Sequence, residues 1–510
     1  MSHARNYLAV DLGAESGRVI LGQYDGRRLE LSEVHRFPNG AVRLPARAVG
    51  RGESSATGKI SLFWDILRLW DYVKEGFTLS VNQCGKDLSS VGIDAWGVDF
   101  GLLDRNGALL SNPSHYRDNR TDGMLEEAFS SVPRVEIFQR TGIQFMQLNS
   151  LYQLLSMVVE QSPAIQLAET FLTIPDLFNY WLTGRAVCEF TNATTTQCYN
   201  PNLKGWDDTL LERIGIPARI FPPIVSPGTK LGEILPAVAV EVGLEAATGL
   251  SVIAPACHDT GSAVAAVPAE KPGFAWISSG TWSIVGVEWP EPIINAQSLA
   301  YNFTNEGGVG DTFRFSKNVM GLWLVQECRR TWAREGEEIS YTEMTQMVNQ
   351  AKPFQAVIDP DDVEFFKPGD IPARVREFCR RTHQVVPEGK ATIIRCILES
   401  LALKYRWVVE RLEEMVGQKL KPIHLIGGGT KNTKLNQFTA DATGRRVVTG
   451  PIEATAIGNL LLQAIALGDI PSLTEGRALV RTSFPPTVYE PTSTAGWDEA
   501  YQRLLEVMTR

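Results

Sequence analysis

The chain has 510 residues, of which 44% are apolar, 21% charged and 9% aromatic, a composition that builds buried cores and excludes a chain disordered throughout. That length holds roughly two to four folding units, which excludes a single small binding module. With 49 Lys and Arg against 58 Asp and Glu the net charge is −9, the wrong sign for a nucleic-acid footprint, so a small-molecule partner is expected. The seven cysteines are scattered and form no C-x-x-C pair, which points to a reducing, cytoplasmic setting. Asp11 cuts short the apolar run that begins at Tyr7, so no secretory signal is read, and no stretch approaches the ~20 apolar residues that cross a bilayer.

In chain order, Tyr7–Val10, Arg18–Tyr24 and Leu29–Phe37 read as three strands of a meander, the last two joined by Asp25-Gly26, a pair suited to positive φ. Residues Ala41–Lys59 carry Gly, Pro, Arg and Ser without apolar periodicity and are expected to form an exposed loop. The run from Gly52 to Gly58-Lys59 inside it is no P-loop, because its spacing is one residue too long and Ile60 stands where Ser or Thr is required. Apolar residues at Leu62, Ile66, Leu67, Trp70 and Val73 predict a helix over 62–77, and Val91–Ile93 begins a short strand ending at Asp94. Helical stretches follow at Leu151–Glu160 and Ile174–Leu182, then a strand at Val252–Ala256 that runs into His258-Asp259. Phe274–Ser278 and Ser283–Val287 repeat the opening pattern of strand, small-residue loop, strand. In the last third a helix marked by Ile393 to Met415, closed by Gly417, gives way to strand Pro422–Ile426, a triple-glycine turn, helix Leu435–Thr443, strand Arg446–Val448 and helix Ala454–Leu467. This alternation predicts α/β sheets covered by helices, in two halves, with domains over 1–268 and 269–510.

Three glycine-containing loops carry the chemical reading. In the first, Asp11 to Arg18, a turn brings backbone N–H groups close to phosphate oxygens while Asp11 is placed to hold a cation or its waters; an ordinary hairpin turn is the other reading of this loop alone. The second, Ser278 to Ser283, repeats that arrangement in the other half, so that the pair is able to clamp the phosphates of one nucleotide. The third, Gly427-Gly428-Gly429, lets a base or ribose lie against backbone, although tight turns also use glycine. Asp259, at the end of an apolar approach, has the placement of a general base for a hydroxyl, with a helix N-cap as the alternative. Trp96-Gly97, between Asp94 and Asp99, reads either as a wall for a sugar or as a buried tryptophan in a strand turn. Trp323, Trp332 and Trp407 are expected in the core. Asn318 and Gln326 flank a helix expected over Met320–Val325, either as surface positions or as ligand contacts.

Taken in order, the loops and Asp259 resemble the FGGY carbohydrate kinases of the actin-like ATPase superfamily. The strings VDLGAESGRV (10–19), GIDAWGVDFGLLD (92–104), YRDNRT (116–121), TNATTTQ (191–197), HDTGSAV (258–264), SSGTWS (278–283), NEGG (305–308), NVMGLWLVQ (318–326) and IGGGTKNTKLNQ (426–437) carry that resemblance across nearly the whole chain. It implies two related ribonuclease-H-like domains with mixed sheets flanked by helices and a cleft between them. It further implies ATP as phosphoryl donor, Mg²⁺ near Asp11, and a small sugar as acceptor, with no nucleic acid or membrane partner and a monomer or homodimer as the assembly. Ala14, Glu15, Ser16, Gly17 and Arg18 would form the first phosphate loop, and Thr281, Gln326 and Gly428 would touch the nucleotide. Gly97, His258, Asp259, Thr260 and Asn318 would line the sugar site, with Asp259 as proton acceptor. The implied reaction phosphorylates L-rhamnulose at O1, with another ketose such as L-fuculose or D-xylulose, or a sugar-independent ATPase, as the alternatives. Two features depart from the family pattern: Glu15 stands where a small hydroxylated residue is common, and the 41–59 segment is longer than usual.

Overall fold

The computed structural model of the protein describes residues 5–45 and 60–509, which form a two-domain α/β fold. The two compact units interleave along the chain. The first comprises the described residues through Ala266 together with Trp289–Arg314 and Thr455–Ser483; the second comprises Val267–Glu288, Phe315–Ala454 and the chain from Phe484 onward.

The sheet of the first unit runs in the order Thr229–Glu233, Ser251–Ala254, Ser90–Ala95, Arg5–Leu12, Ser16–Tyr24, Leu29–Pro38. Three of its four inner strands are parallel, with Tyr7 to Leu12 in register with Ser90 to Ala95, and Ser251 to Ile253 in register with Ser90 to Gly92. Residues 6–12 and 90–95 are buried throughout, as expected of strands covered on both faces. Leu8, Val10, Val91, Ile93 and Val252 share a core with Leu69, Val73 and Phe77 of helix Ile66–Cys84 and with Ile174, Leu177 and Phe178 of helix Ile174–Thr183.

Helix Ala454–Ala466 is bonded to the same sheet by polar side chains. The Asn459 amide donates to Gly92 O at 3.1 Å and Asp94 Oδ2 at 2.6 Å, and the Gln463 amide donates to Leu8 O at 3.0 Å and Asn459 Oδ1 at 2.7 Å. Glycine is required at position 92, because a Cβ there would lie 2.4 Å from Asn459 Oδ1.

Two sequence expectations near the start of the chain change. Ala41–Pro45, expected as loop, is a strand paired antiparallel with Ile60–Trp64; the rest of that segment, including Gly52, Gly58 and Lys59, lies outside the described residues. Leu62 therefore belongs to a strand and the helix begins at Ile66, where Asp65 accepts the Arg68 amide as its N-cap at 3.2 Å. The four-residue spacing from Leu62 to Ile66 imitates a helical period across a strand end and a cap.

In the second unit the strands follow the order Phe313–Met320, Trp282–Trp289, Ala275–Ser279, Ile423–Ile426, Val447–Thr449, Thr487–Tyr489. Ala275 to Ser278 run parallel to Ile423 to Ile426, which run parallel to Val447 to Thr449, and helices Lys390–Val416 and Thr433–Thr443 belong to this unit. The long helix closes at Gly417, at φ 71°, whose N–H donates to Glu413 O at 3.0 Å.

Candidate active site

The parallel strands of the first unit bring their carboxyl ends together, the edge where open α/β sheets place ligands. Register sets Asp11 opposite Arg18 on one side and opposite Asp94 on the other, so the three side chains share a sheet face. Arg18 Nη2 is ion-paired with Asp11 Oδ2. Asp94 Oδ2 is held by Asn459, while its buried Oδ1 has no hydrogen-bond partner among the described residues. Burial, and then the charge of Asp11, hold the Asp94 carboxyl well above the usual range.

The turn of the first loop is anchored from outside. Gly13 N–H donates to Ser16 O at 3.1 Å, and Asn39 ties the turn down through its side-chain amide to Gly13 O at 2.8 Å and its backbone N–H to Glu15 O at 3.1 Å. Ala14, Ser16 and Arg18 are half-buried, Gly17 is buried beneath Phe37, and Glu15 is exposed.

His258 and Asp259 follow strand Ser251–Ala254, with His258 bridged in parallel to Ala95. His258 takes the position before the first turn of helix Asp259–Ala265, so Asp259 is its first residue and not its cap. Asp259 Oδ1 accepts both the Thr260 amide and, at 3.1 Å, the Thr260 hydroxyl, and stands 3.4 Å from His258 Nε2. Among the described residues none bonds Oδ2, and about a third of the side chain is open to solvent. One oxygen is thus fixed, and the other carries no hydrogen bond among the described residues.

Gly97 is half-buried beside Thr195, whose hydroxyl accepts the Val98 amide at 3.1 Å. Val98 adopts φ 69°, unusual for a β-branched residue, and its carbonyl is held by the Ser150 hydroxyl and, at 3.3 Å, by Gln153. Of the two readings of Trp96-Gly97, the tryptophan is the buried one. Trp96 Nε1 donates to Asp99 Oδ2 at 3.0 Å, which also accepts Trp64 Nε1 at 2.6 Å, while Gln153 donates to Asp99 Oδ1 at 2.8 Å. Burial raises the Asp99 carboxyl to about 6, against these lowering bonds. Asp99 braces the loop that carries Gly97.

The second unit holds the remaining expected residues on three adjoining segments. Thr281 lies in the turn 280–281, where Gly280 N–H donates to Trp282 O at 2.8 Å. The chain at 322–323 is tied to that turn by Leu322 N–H to Gly280 O at 3.0 Å and Trp323 N–H to Thr281 O at 3.1 Å. Residues Met320–Val325, expected as one helix, are instead a strand end at Met320 and a helix start at Trp323, so Asn318 is on a strand and Gln326 on helix Trp323–Arg334. The chain turns between them at Gly321, where a Cβ would stand 2.7 Å from Ser283 N. Gln326 Oε1 is buried with no hydrogen-bond partner among the described residues.

The triple glycine divides into three tasks. Gly427 has φ 86°, and a Cβ at Gly429 would come 2.0 Å from Ser279 Oγ, so both are demanded by backbone and packing. Gly428 is exposed, and a Cβ there would meet nothing within 4 Å. It is the one glycine of the three that neither backbone conformation nor packing demands. Of the tryptophans expected in the core, Trp323 and Trp332 are buried and Trp407 is half-buried.

The residues at Asp11 fit a magnesium ion. Mg²⁺ keeps several waters and takes one or two carboxylates together with substrate phosphates, so it needs no cage, and the described residues contain no group of three or more His, Cys, Asp or Glu able to hold a metal. The unsatisfied Asp94 Oδ1 opposite Asp11 suits a bound water of such an ion. Sequence reasoning missed two residues beside His258: Glu306, inside the NEGG string, and Arg314, which has no local motif and reaches the ring only through the fold.

The two-domain α/β fold is the one that solved sugar-kinase structures share. The chain matches solved structures over nearly its whole length: a xylulose kinase from Lactobacillus acidophilus at TM-score 0.81 with 16% identity, covering 99% of this chain and 98% of that one, and Plasmodium falciparum glycerol kinase with ADP at TM-score 0.76 with 16% identity, covering 99% and 97%. Models of the N-terminal and C-terminal domains of the FGGY family of carbohydrate kinases match residues 53–265 and 275–467, and the chain belongs to that family. Among its relatives, proteins named rhamnulokinase are 43% identical in Bacteroides thetaiotaomicron over 98% of both chains, 40% in Oceanobacillus iheyensis over 94% of this chain and 97% of that one, and 37% in Bacillus subtilis over 95% of both.

Proposed function

We propose that the protein transfers the γ-phosphoryl group of ATP to O1 of L-rhamnulose, giving L-rhamnulose 1-phosphate and ADP. The observation that carries this reading is the end-to-end similarity to relatives named rhamnulokinase, at 37–43% identity over nearly all of both chains. The geometry of the first unit supports the chemistry. With Oδ1 occupied by Thr260, Asp259 Oδ2 accepts the proton of the sugar's primary hydroxyl as that oxygen attacks phosphorus and the bond to the ADP oxygen breaks.

Gly97, His258, Thr260 and Asn318 line the sugar in this proposal. The 14–18 turn presents backbone N–H groups to the phosphates, and Arg18 adds its guanidinium. Thr281, Gln326 and Gly428 contact the nucleotide, the first two from segments tied together by the hydrogen bonds of 280–281 to 322–323. Asp11 would hold a magnesium ion, which would supply neutralisation of charge on the phosphates. Phosphoryl transfer asks for position and charge compensation more than covalent chemistry, so this set is sufficient. The protein is proposed to act in the cytoplasm, as a monomer or homodimer; no helix among the described residues is long and apolar enough to cross a membrane.

The test is ADP release from ATP and Mg²⁺ with L-rhamnulose, L-fuculose, L-ribulose, D-xylulose, glycerol or no sugar. L-Rhamnulose is expected to give the highest kcat/KM. A different preferred sugar overturns the substrate, and equal rates with and without sugar overturn the kinase reaction.

A further inference from the structure

The groups facing His258 form a buried chain that ends on Asp259. Arg314 is fully buried, Glu306 is 6% and His258 8% exposed. Arg314 Nη2 stands 2.9 Å from His258 Nδ1 and 3.1 Å from Glu306 Oε2, while Arg314 Nε donates to Gly307 O at 2.8 Å. Glu306 Oε2 lies 3.3 Å from the same Nδ1, and His258 Nε2 lies 3.4 Å from Asp259 Oδ1. The His258 backbone N–H donates to Thr191 Oγ1 at 3.0 Å.

A guanidinium nitrogen only donates, so at 2.9 Å it requires a lone pair on Nδ1. A proton on Nδ1 would meet the Arg314 N–H at 2.9 Å and have only Glu306 Oε2, at 3.3 Å, to accept it. Glu306 Oε2, 3.1 Å from Arg314 Nη2 and 3.3 Å from Nδ1, balances the Arg314 charge; burial pushes the Glu306 carboxyl up, but Arg314 outweighs that and leaves it below the usual range. The imidazole proton therefore sits on Nε2, the nitrogen that faces Asp259. In ligand-free enzymes catalytic hydrogen bonds are commonly long and tighten as the complex forms, which suits the 3.4 Å spacing.

We propose that Arg314 and Glu306 set the tautomer of His258 so that its Nε2–H holds Asp259 Oδ1, making the three positioning residues for the carboxylate at the reaction centre. Asp259 is then gripped on one oxygen by Thr260 and His258, and its other oxygen keeps one direction toward the sugar hydroxyl. The consequence for catalysis rests on the kinase reading above, whereas the tautomer does not.

The experiment has two arms. In protein labelled with ¹⁵N-histidine, long-range ¹H–¹⁵N spectra read the tautomer of each of the six histidines without sugar or nucleotide, with His258 assigned by the signal lost in His258→Gln. The expected signal is a neutral ring protonated at Nε2, and in Arg314→Met, which removes the donor to Nδ1, a partial shift toward the other tautomer. A ring protonated at Nδ1 in the parent overturns the proposal. In the kinetic arm, His258→Gln, whose longer amide returns an N–H near the Nε2 position, should lose less of kcat than His258→Asn. His258→Asn, whose shorter amide does not reach, should lose roughly 10–100-fold in kcat, the worth of one hydrogen bond to a charged group, with KM for ATP unchanged. Equal losses in Gln and Asn variants overturn the positioning role, and an Nε2–H signal alongside a flat sugar panel removes the substrate reading alone.

Discussion

Replacing Asp259 by Asn separates the proposed base from every other property of the site. The side chain keeps its volume, and its oxygen still accepts the Thr260 amide and the Thr260 hydroxyl at 3.1 Å. The atom at the Oδ2 position becomes an NH₂ group, which has no lone pair for the sugar's proton. General base catalysis is worth roughly 10²–10⁴-fold, or about 3–5 kcal/mol of barrier, and kcat should fall by that factor. Stability should not fall. The Asp259 charge is one of the causes that push the buried Asp94 carboxyl up, so neutralising it relieves repulsion, and the variant should melt at or above the parent temperature. The assay is ADP release at saturating sugar and ATP, with nucleotide affinity by calorimetry and a thermal melt alongside. A kcat within threefold of the parent removes Asp259 from the base role, and a lower melting temperature together with lost nucleotide binding makes its role structural.

Gly429→Ala should push the 278–280 turn away, since its Cβ would meet Ser279 Oγ at 2.0 Å and Ser279 O at 2.9 Å; KM for ATP should rise roughly tenfold or more while ATP-independent sugar binding, followed by calorimetry, stays within twofold. Glu189 is fully buried, and burial raises its carboxyl to about 7 from 4.5 in spite of bonds from Thr191 and Cys257. A raised carboxyl binds its proton more tightly in the folded state, so this group's contribution is complete below about pH 4.5 and is lost as pH rises through 7. Glu189→Gln, which cannot titrate, should therefore be destabilised relative to the parent by about 3 kcal/mol more at pH 4.5 than at pH 8, measured by urea unfolding; a difference independent of pH refutes the raised value.

Much of the fold is written in local pattern. Largely apolar runs at 7–10, 252–254 and 423–426 are buried strands, and Gly417 ends its helix because the position needs positive φ. The failures lie where pattern is ambiguous over a few residues: Leu62 sits four before Ile66 yet in a strand, and Met320 to Val325 is apolar throughout yet bends at Gly321 between strand and helix. The discontinuous units were not legible either, because nothing local marks Trp289–Arg314 or Thr455–Ser483 as returning to the first unit.

The sequence by itself determined the chemistry available: glycine turns after buried strands, Asp259 at the end of an apolar approach, and collinear motifs specific enough to name a family. These are properties of neighbouring residues, and short-range sterics and hydrophobic periodicity express them without knowledge of the fold. Tertiary structure alone decided which of those residues are equivalent and which are not. Register across strands set Asp11 beside Asp94, the helix that returns from residue 454 placed Asn459 under that carboxylate, and packing assigned Gly427 and Gly429 to the turn while leaving Gly428 open. It also brought Arg314 against His258, 56 positions away in the chain, because hydrogen-bond partners of a buried ring are chosen by what the folded core places within 3 Å of it, and no local pattern encodes that distance.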